Sequence, residues 1–308
     1  PRARWYTMSA AHNTVVVDGK NTAPGIAETT LWLDAPGAHA IRAGGGAMVP
    51  IKRYERTVLL VDISEEACYA VDVFRVTGGH DHLKFMQSHF GTVRTEGLTL
   101  AAAPDFDASM MLRNVQADPA PAPGWQAAWT FEDRYGYLPE GTPVGLRYLD
   151  FTENASAGLA EAWVVGGGFN TNAETWLPRV WMRRTSPEDG PELDTTTFVA
   201  IIEPFGVASA IAKASRAKGT GSAVALEVIF TDGRRDVVVT RDPEAAPGEL
   251  DADFGTIALH TDADTGVVHC DATGAPVHAV FYGGSGALYG DTNMSPSQPG
   301  AQWEWRAK

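Results

Sequence analysis

Apolar and β-branched residues recur along this chain in short bursts separated by polar and glycine-bearing breaks, the pattern of strands rather than helices. Thr57–Asp62, Cys68–Val76 and Leu83–Phe90 are such bursts, and Phe198–Ile202 continues the series after the acidic, proline-bearing break Ser186–Asp194. Ala223–Phe230 and Asp236–Thr240 flank Asp232-Gly233, which predicts a hairpin closed by a tight type I′ turn. Gly255–His260, Gly266–Cys270 and Val277–Tyr282 then read as a three-strand meander. No window longer than about a dozen residues holds a 3.6-residue apolar period. Val207–Lys218 comes nearest to a helix and reads equally as a strand plus a loop. The expected fold class is all-β, a large antiparallel β-sandwich.

The strongest linker-like stretch is Ala117–Gly124, rich in alanine and proline. Aromatic strand material resumes at Trp125, so this stretch is expected to join strands within one large β-sandwich region spanning residues 1–308, with a softer division near 117–124. Gly44–Gly46 and Gly166–Gly168 read as flexible turns, and no repeat of 20–50 residues is apparent.

With 308 residues, 44% of them hydrophobic, the chain can bury a large core. Its first methionine is Met8, so it is expected to be a piece of a longer protein. No apolar run approaches the length of a membrane span. The net charge of −14 argues against nucleic-acid binding, which needs a basic face, and against this piece alone gripping a polyanion. Cys68 and Cys270 are too few for a disulfide framework and are expected to be buried free thiols.

The most specific stretch is Ser9-Ala10-Ala11-His12-Asn13-Thr14-Val15-Val16-Val17-Asp18-Gly19. Physically it is a β-branched strand ending at an Asp-Gly turn, with a histidine just upstream. The run resembles the Ala-His-Asn-Thr-Val-Val-Asp-Gly signature of the heparinase II/III-like polysaccharide lyases. Arg53–Asp62 is similar to a strand of that family, as are Val71–Gly79, the His80–Gly91 stretch that follows it, Phe198–Pro204 and the hairpin Val224–Val238. The likeness covers most of residues 9–240.

The resemblance implies a β-sandwich of the kind that follows an α/α toroid in such lyases, the toroid being absent from this chain. It implies β-elimination on a uronate-containing polysaccharide, heparan-type glycosaminoglycan or alginate. A base would take the C5 proton once the carboxylate charge is masked, and an acid would protonate the leaving 4-oxygen. It further implies that His12 is one ligand of a zinc ion whose other ligands lie outside this chain, with Asn13 and Thr14 orienting the ring. Most catalytic residues are expected on the missing half. Tyr6 is a candidate proton donor, and Arg4 and Trp5 are candidate substrate contacts at the edge of the cleft. The expected partners are the helical portion of the same lyase or a companion chain, the polysaccharide, and a second copy in a homo-oligomer. The implied location is the bacterial periplasm or the medium, with the cytoplasm open to an oligosaccharide lyase.

Each candidate has a plainer reading. The Arg4–Tyr6 segment reads as an edge strand, and Asn13 as a residue satisfying turn backbone. His80 and His82 share a face if the strand period holds, as a metal pair or as a solvated strand start. His89 reads as packing at a strand end. Asp262–Gly266 begins like a calcium loop but lacks the closing Glu, so it reads as a hairpin turn. Arg183-Arg184 and Arg234-Arg235 read as solvated basic spots. The rival to the lyase is a non-catalytic carbohydrate-binding or assembly β-sandwich, for which nine Trp and eight Tyr provide stacking surface.

Overall fold

The computed structural model describes residues 2–45, 49–166, 174–246, 248–255, 257–296 and 300–307. Gly46, Gly167 and Gly168 of the expected glycine turns lie outside the described residues. The fold is nearly all β, as the bursts of apolar residues predict. Its strands pair antiparallel, as Val15–Val17 does with Asp81–Gln87 and Ser156–Val165 with Glu174–Thr185. Two compact units form, each from separate stretches of chain. The first comprises Pro1–Thr29, Ala43–Arg56 and Phe74–Val207, and the second Thr30–Arg42, Thr57–Val73 and Ala208–Lys308.

In the first unit a six-stranded sheet runs in the order Val15–Val17, Asp81–Gln87, Glu174–Thr185, Ser156–Val165, Leu112–Asp118, Ala101–Ala102. Thr196–Phe205, Gly145–Asp150, Trp125–Phe131 and Gly91–Glu96 are consecutive neighbours in another sheet. Inward residues from both sets, including Val15, Val17, Trp129, Tyr148, Val180 and Phe198, form one core cluster. The opposite face of the six-stranded sheet carries a second cluster, in which Val16, Leu83, Phe85 and Trp181 pack with Trp5, Met8 and Met110. Burial on both faces explains why Val15–Val17 reads as an unbroken apolar run instead of an alternation. The stretch Ala117–Gly124 lies wholly inside this unit and links Leu112–Asp118 to Trp125–Phe131.

The second unit holds a six-stranded sheet, Ile211–Arg216, Val224–Phe230, Arg235–Thr240, Thr265–Cys270, Pro276–Tyr282 and Gln302–Arg306, and a four-stranded one, Leu250–Asp253, Ala258–Thr261, Ala287–Tyr289 and Thr292–Met294. Their shared core includes Val237, Val239, Leu259, Phe281 and Tyr289. This unit refines three expectations. Ile211–Arg216 is a strand, so the stretch Val207–Lys218 takes its strand-plus-loop reading. The expected meander is divided between two sheets, because Ala258–Thr261 pairs with Leu250–Asp253 while Thr265–Cys270 pairs with Arg235–Thr240. The hairpin at Asp232-Gly233 closes with a longer loop than a two-residue turn: Gly233 N–H donates to Phe230 O, Phe230 N–H donates to Arg234 O, and Gly233 takes a positive φ of 89°. Both cysteines are free, Cys270 buried and Cys68 only half-buried.

Candidate functional site

The Ser9–Gly19 run forms a tightly bonded platform on the first unit. Its strand ends in a type I′ turn, with Asp18 at φ 49° and Gly19 at φ 67°, as the Asp-Gly pair predicts. The Asp18 carboxylate accepts from the backbone N–H of His80 (2.7 Å) and Asp81 (3.0 Å), which ties the turn to the neighbouring strand. Upstream, Arg2–Tyr6 is a short helix rather than the expected edge strand, and Ser9–Ala11 is a 3-10 turn. Ser9 N–H donates to Asn21 Oδ1 (2.9 Å), and Ser9 Oγ accepts from Thr22 N–H (2.9 Å).

The candidate residues separate by exposure. Trp5 is 2% exposed and packs edge-on against Trp163, with centroids 6.4 Å apart. That burial withdraws its ring from the sugar-stacking role expected of it in this chain. Arg4, Tyr6 and His12 are exposed, so the platform buries its apolar residues and displays polar ones. The apolar stretch Met8, Ala10, Ala11 and Val15–Val17 is buried within the chain itself. His12 Nε2 lies 3.1 Å from Tyr6 O, and its backbone N–H donates to Ser9 O.

Asn13 and Thr14 direct their side chains away from the imidazole. Asn13 Nδ2 donates to Gln87 O (3.1 Å) and its Oδ1 accepts from Gln87 N–H (2.8 Å), the backbone-satisfying role. Thr14 Oγ1 meets Tyr54 OH at 2.7 Å, and Tyr54 OH donates to Val15 O at 2.6 Å. Burial raises the Tyr54 phenol above its ordinary value, which keeps that donor protonated. Gln87 Nε2 also donates to Ala11 O, and Arg56 Nη1 to Asn13 O.

Beneath this platform lies Arg179, fully buried, with its guanidinium over the rings of Trp5 (5.4 Å) and Phe85 (5.2 Å) and donating from Nη1 to Ala10 O. Its Nε and Nη2 have no hydrogen-bond partner, and desolvation lowers its pKa to about 9. Tyr54, Arg56, Gln87 and Arg179 were not legible as functional from sequence. Arg179 left one signal, its alternation with Trp181 and Arg183 on the strand face opposite Val180 and Met182.

A groove of about 1090 Å³ opens beside the platform, lined by Lys20, His80, Phe106, Arg183 and Ser186 among others. Arg183 forms a two-pronged ion pair with Asp81 (2.8 and 2.9 Å), and Arg184 pairs with Asp194 (2.9 Å), so both are engaged rather than simply solvated. His82 is fully buried, which replaces both the metal-pair and the solvated readings. Its Nε2–H donates to Gly78 O (2.7 Å) and its Nδ1 sits 2.8 Å from Thr196 Oγ1. His80 Nδ1 lies 3.1 Å from Ser186 Oγ. His89 packs among Phe90, Phe131 and Tyr135.

A structural zinc ion takes four ligands. Among the described residues no three His, Cys, Asp or Glu side chains are placed to hold a metal together. A single exposed imidazole such as that of His12 does not meet that requirement by itself.

No family model and no curated protein matches the chain. Solved structures do. A heparinase III structure aligns over 77% of this chain and 31% of its own, at 15% identity and a TM-score of 0.51. Heparan sulfate lyase HepC from Pedobacter heparinus aligns over the same shares at 16% identity and a TM-score of 0.49. The likeness is one of fold: this chain has the β architecture of a segment of heparinase III, as its Ser9–Gly19 run implies. It spans about 31% of the length of the lyase chains it matches. Among the described residues no helix is long and apolar enough to cross a membrane.

Proposed function

We propose that this chain is the β-region of a polysaccharide lyase that cleaves a uronate-containing polymer, heparan-type glycosaminoglycan or alginate, by β-elimination. One observation carries the reading. The signature run is held by hydrogen bonds from Asn13, Thr14, Tyr54, Arg56 and Gln87, and His12 within it, like Arg4 and Tyr6 just upstream, is exposed. A platform so heavily bonded suits the presentation of side chains to a second surface.

In β-elimination a base removes the C5 proton, its electron pair forms the C4–C5 double bond, and the C4–O bond breaks as an acid protonates the departing oxygen. The step demands positive charge at the uronate carboxylate. This chain carries a net charge of −14, and Arg183 and Arg184 are already paired. The base and the neutralising cations are therefore assigned to a helical partner segment or companion chain. Tyr6 is offered to the cleft as a proton donor, and Arg4 as a substrate contact. His12 supplies one ligand of a zinc ion completed by that partner. The location that goes with this reading is the bacterial periplasm or the medium.

The test compares the 308-residue chain with the complete gene product that contains it, each mixed with heparan sulfate and with alginate. The ultraviolet absorbance of unsaturated uronate should rise with the complete protein and stay flat with the chain alone. His12→Ala in the complete protein should lower both zinc content and activity. Robust elimination by the isolated chain would overturn the division of labour. Polymer binding without elimination by the complete protein would favour a carbohydrate-binding module.

A further inference from the structure

In the first unit, a surface loop over residues 132–144 joins the strands Trp125–Phe131 and Gly145–Asp150 and holds aromatic rings in water. Tyr137 is 81% exposed and Tyr135 44%. Their rings lie one against the other, with centroids 5.5 Å apart and planes 31° from parallel. Tyr135 in turn makes edge contacts with exposed His89 (6.0 Å) and buried Phe90 (6.1 Å). The rings thus form a ladder that is anchored at Phe90 and open at Tyr137.

Hydrogen bonds fix the loop that carries them. The Asp133 carboxylate accepts from the backbone N–H of Leu138 (2.7 Å) and of Tyr135 (3.3 Å), which closes a turn around Gly136 at φ 66°. Glu132 N–H donates to Phe90 O at 2.9 Å. Arg134 lies 4.2 Å from the centroid of the Phe90 ring and 3.1 Å from the Glu132 carboxylate. Both tyrosines are therefore set in place before any ligand arrives, so little ordering entropy remains to be lost on binding. The ladder also adjoins the signature run, because His89 follows by two residues Gln87, whose backbone and side chain bond to Asn13 and Ala11.

We propose that Tyr137 and Tyr135 form a stacking subsite for a pyranose ring of the polysaccharide, beside the signature run and away from the bond that is broken. A pyranose presents a flat C–H face about as wide as one phenol ring, with hydroxyls around its edge. Tyrosine matches it with an apolar ring face and a polar tip. A folded protein is a poorer fit, since a stable interface buries about 800 Å² on each partner and two rings offer much less. Stacking engages the C–H bonds of the sugar rather than its carboxylate, so it needs no cation and suits a chain of net charge −14. The inference rests on the lyase reading for the identity of the polymer, and on the ring ladder for the contact.

The experiment follows the ultraviolet absorbance of unsaturated uronate as the complete gene product acts on alginate and on heparan sulfate. Tyr137→Ala should raise KM for the cleaved polymer about tenfold and leave kcat unchanged. Tyr137→Phe keeps the ring and should keep the parent KM. Trp32→Ala removes a ring that is 63% exposed in the second unit, and should alter neither constant. An unchanged KM in Tyr137→Ala, or a fall in kcat alone, would overturn the subsite and leave the lyase reading standing. If the complete protein eliminates neither polymer, the lyase reading fails and the subsite is judged by binding. Tyrosine ring ¹H–¹³C spectra of the 308-residue chain are then recorded with alginate and heparan sulfate tetrasaccharides. Saturable shifts of the Tyr137 and Tyr135 signals would support the subsite, and their absence would overturn it.

Discussion

His82 shows how a single residue acquires a role that its sequence position conceals. It follows Gly78-Gly79 and His80-Asp81, a stretch with the composition of a solvated turn, yet its ring is fully buried between Gly78 O and Thr196 Oγ1. Burial lowers its pKa below the ordinary histidine value, outweighing the nearby Asp18 and Asp81 carboxylates. The unfolded chain then takes up a proton that the folded chain refuses. His82 therefore contributes destabilisation that grows as pH falls below about 6.5 toward its lowered folded value. Denaturant unfolding at successive pH values should show a shallower loss of stability on acidification for His82→Gln than for the parent chain. An identical slope in the two would remove His82 as the cause. Asn13 teaches the complementary lesson. Its place beside His12 invited an orienting role, whereas its amide is taken up by the Gln87 backbone.

At the scale of elements, the strands Leu112–Asp118, Ser156–Val165 and Glu174–Thr185 depend on one close approach. Gly158 lies opposite Ala117 on one side and Trp181 on the other. A methyl group there would land within contact distance of the Gln116 carbonyl and the Trp181 indole, with backbone as one of the obstacles. Gly158→Ala should cost about 3 kcal/mol, at the upper end for overpacking, because a paired strand cannot step aside as a side chain can. Thermal unfolding should show a clearly lowered midpoint, and an unchanged one would mean that the strands separate freely. The strand bursts were legible because β-branched and aromatic residues suit a pleated surface with little help from elsewhere. Sheet membership was not. Ala258–Thr261 and Thr265–Cys270 read as neighbours in a meander, yet they pair with different partners. Nothing local to either strand specifies which edge it will meet.

For the molecule as a whole, charge is the property that sequence states most plainly. At −14, the isolated chain should pass through a column of immobilised heparin without salt-sensitive retention, since polyanion binding follows the count of released counterions. Retention that weakens steeply with salt would reveal a basic surface that pairing conceals. The sequence by itself determined the all-β class, the Asp18-Gly19 turn and the likeness to one segment of a lyase. All three rest on local chemistry: apolar bursts, φ-permissive turn residues and a contiguous run. Only the tertiary structure decided that Trp5 is buried beside Trp163 while Tyr6 and His12 face outward, that Arg179 underlies the signature run, and that His269 and His278 stack across paired strands. Those residues lie far apart in the chain. What fixes them is the pairing of distant strands and the exclusion of water between packed faces, neither of which a local pattern encodes.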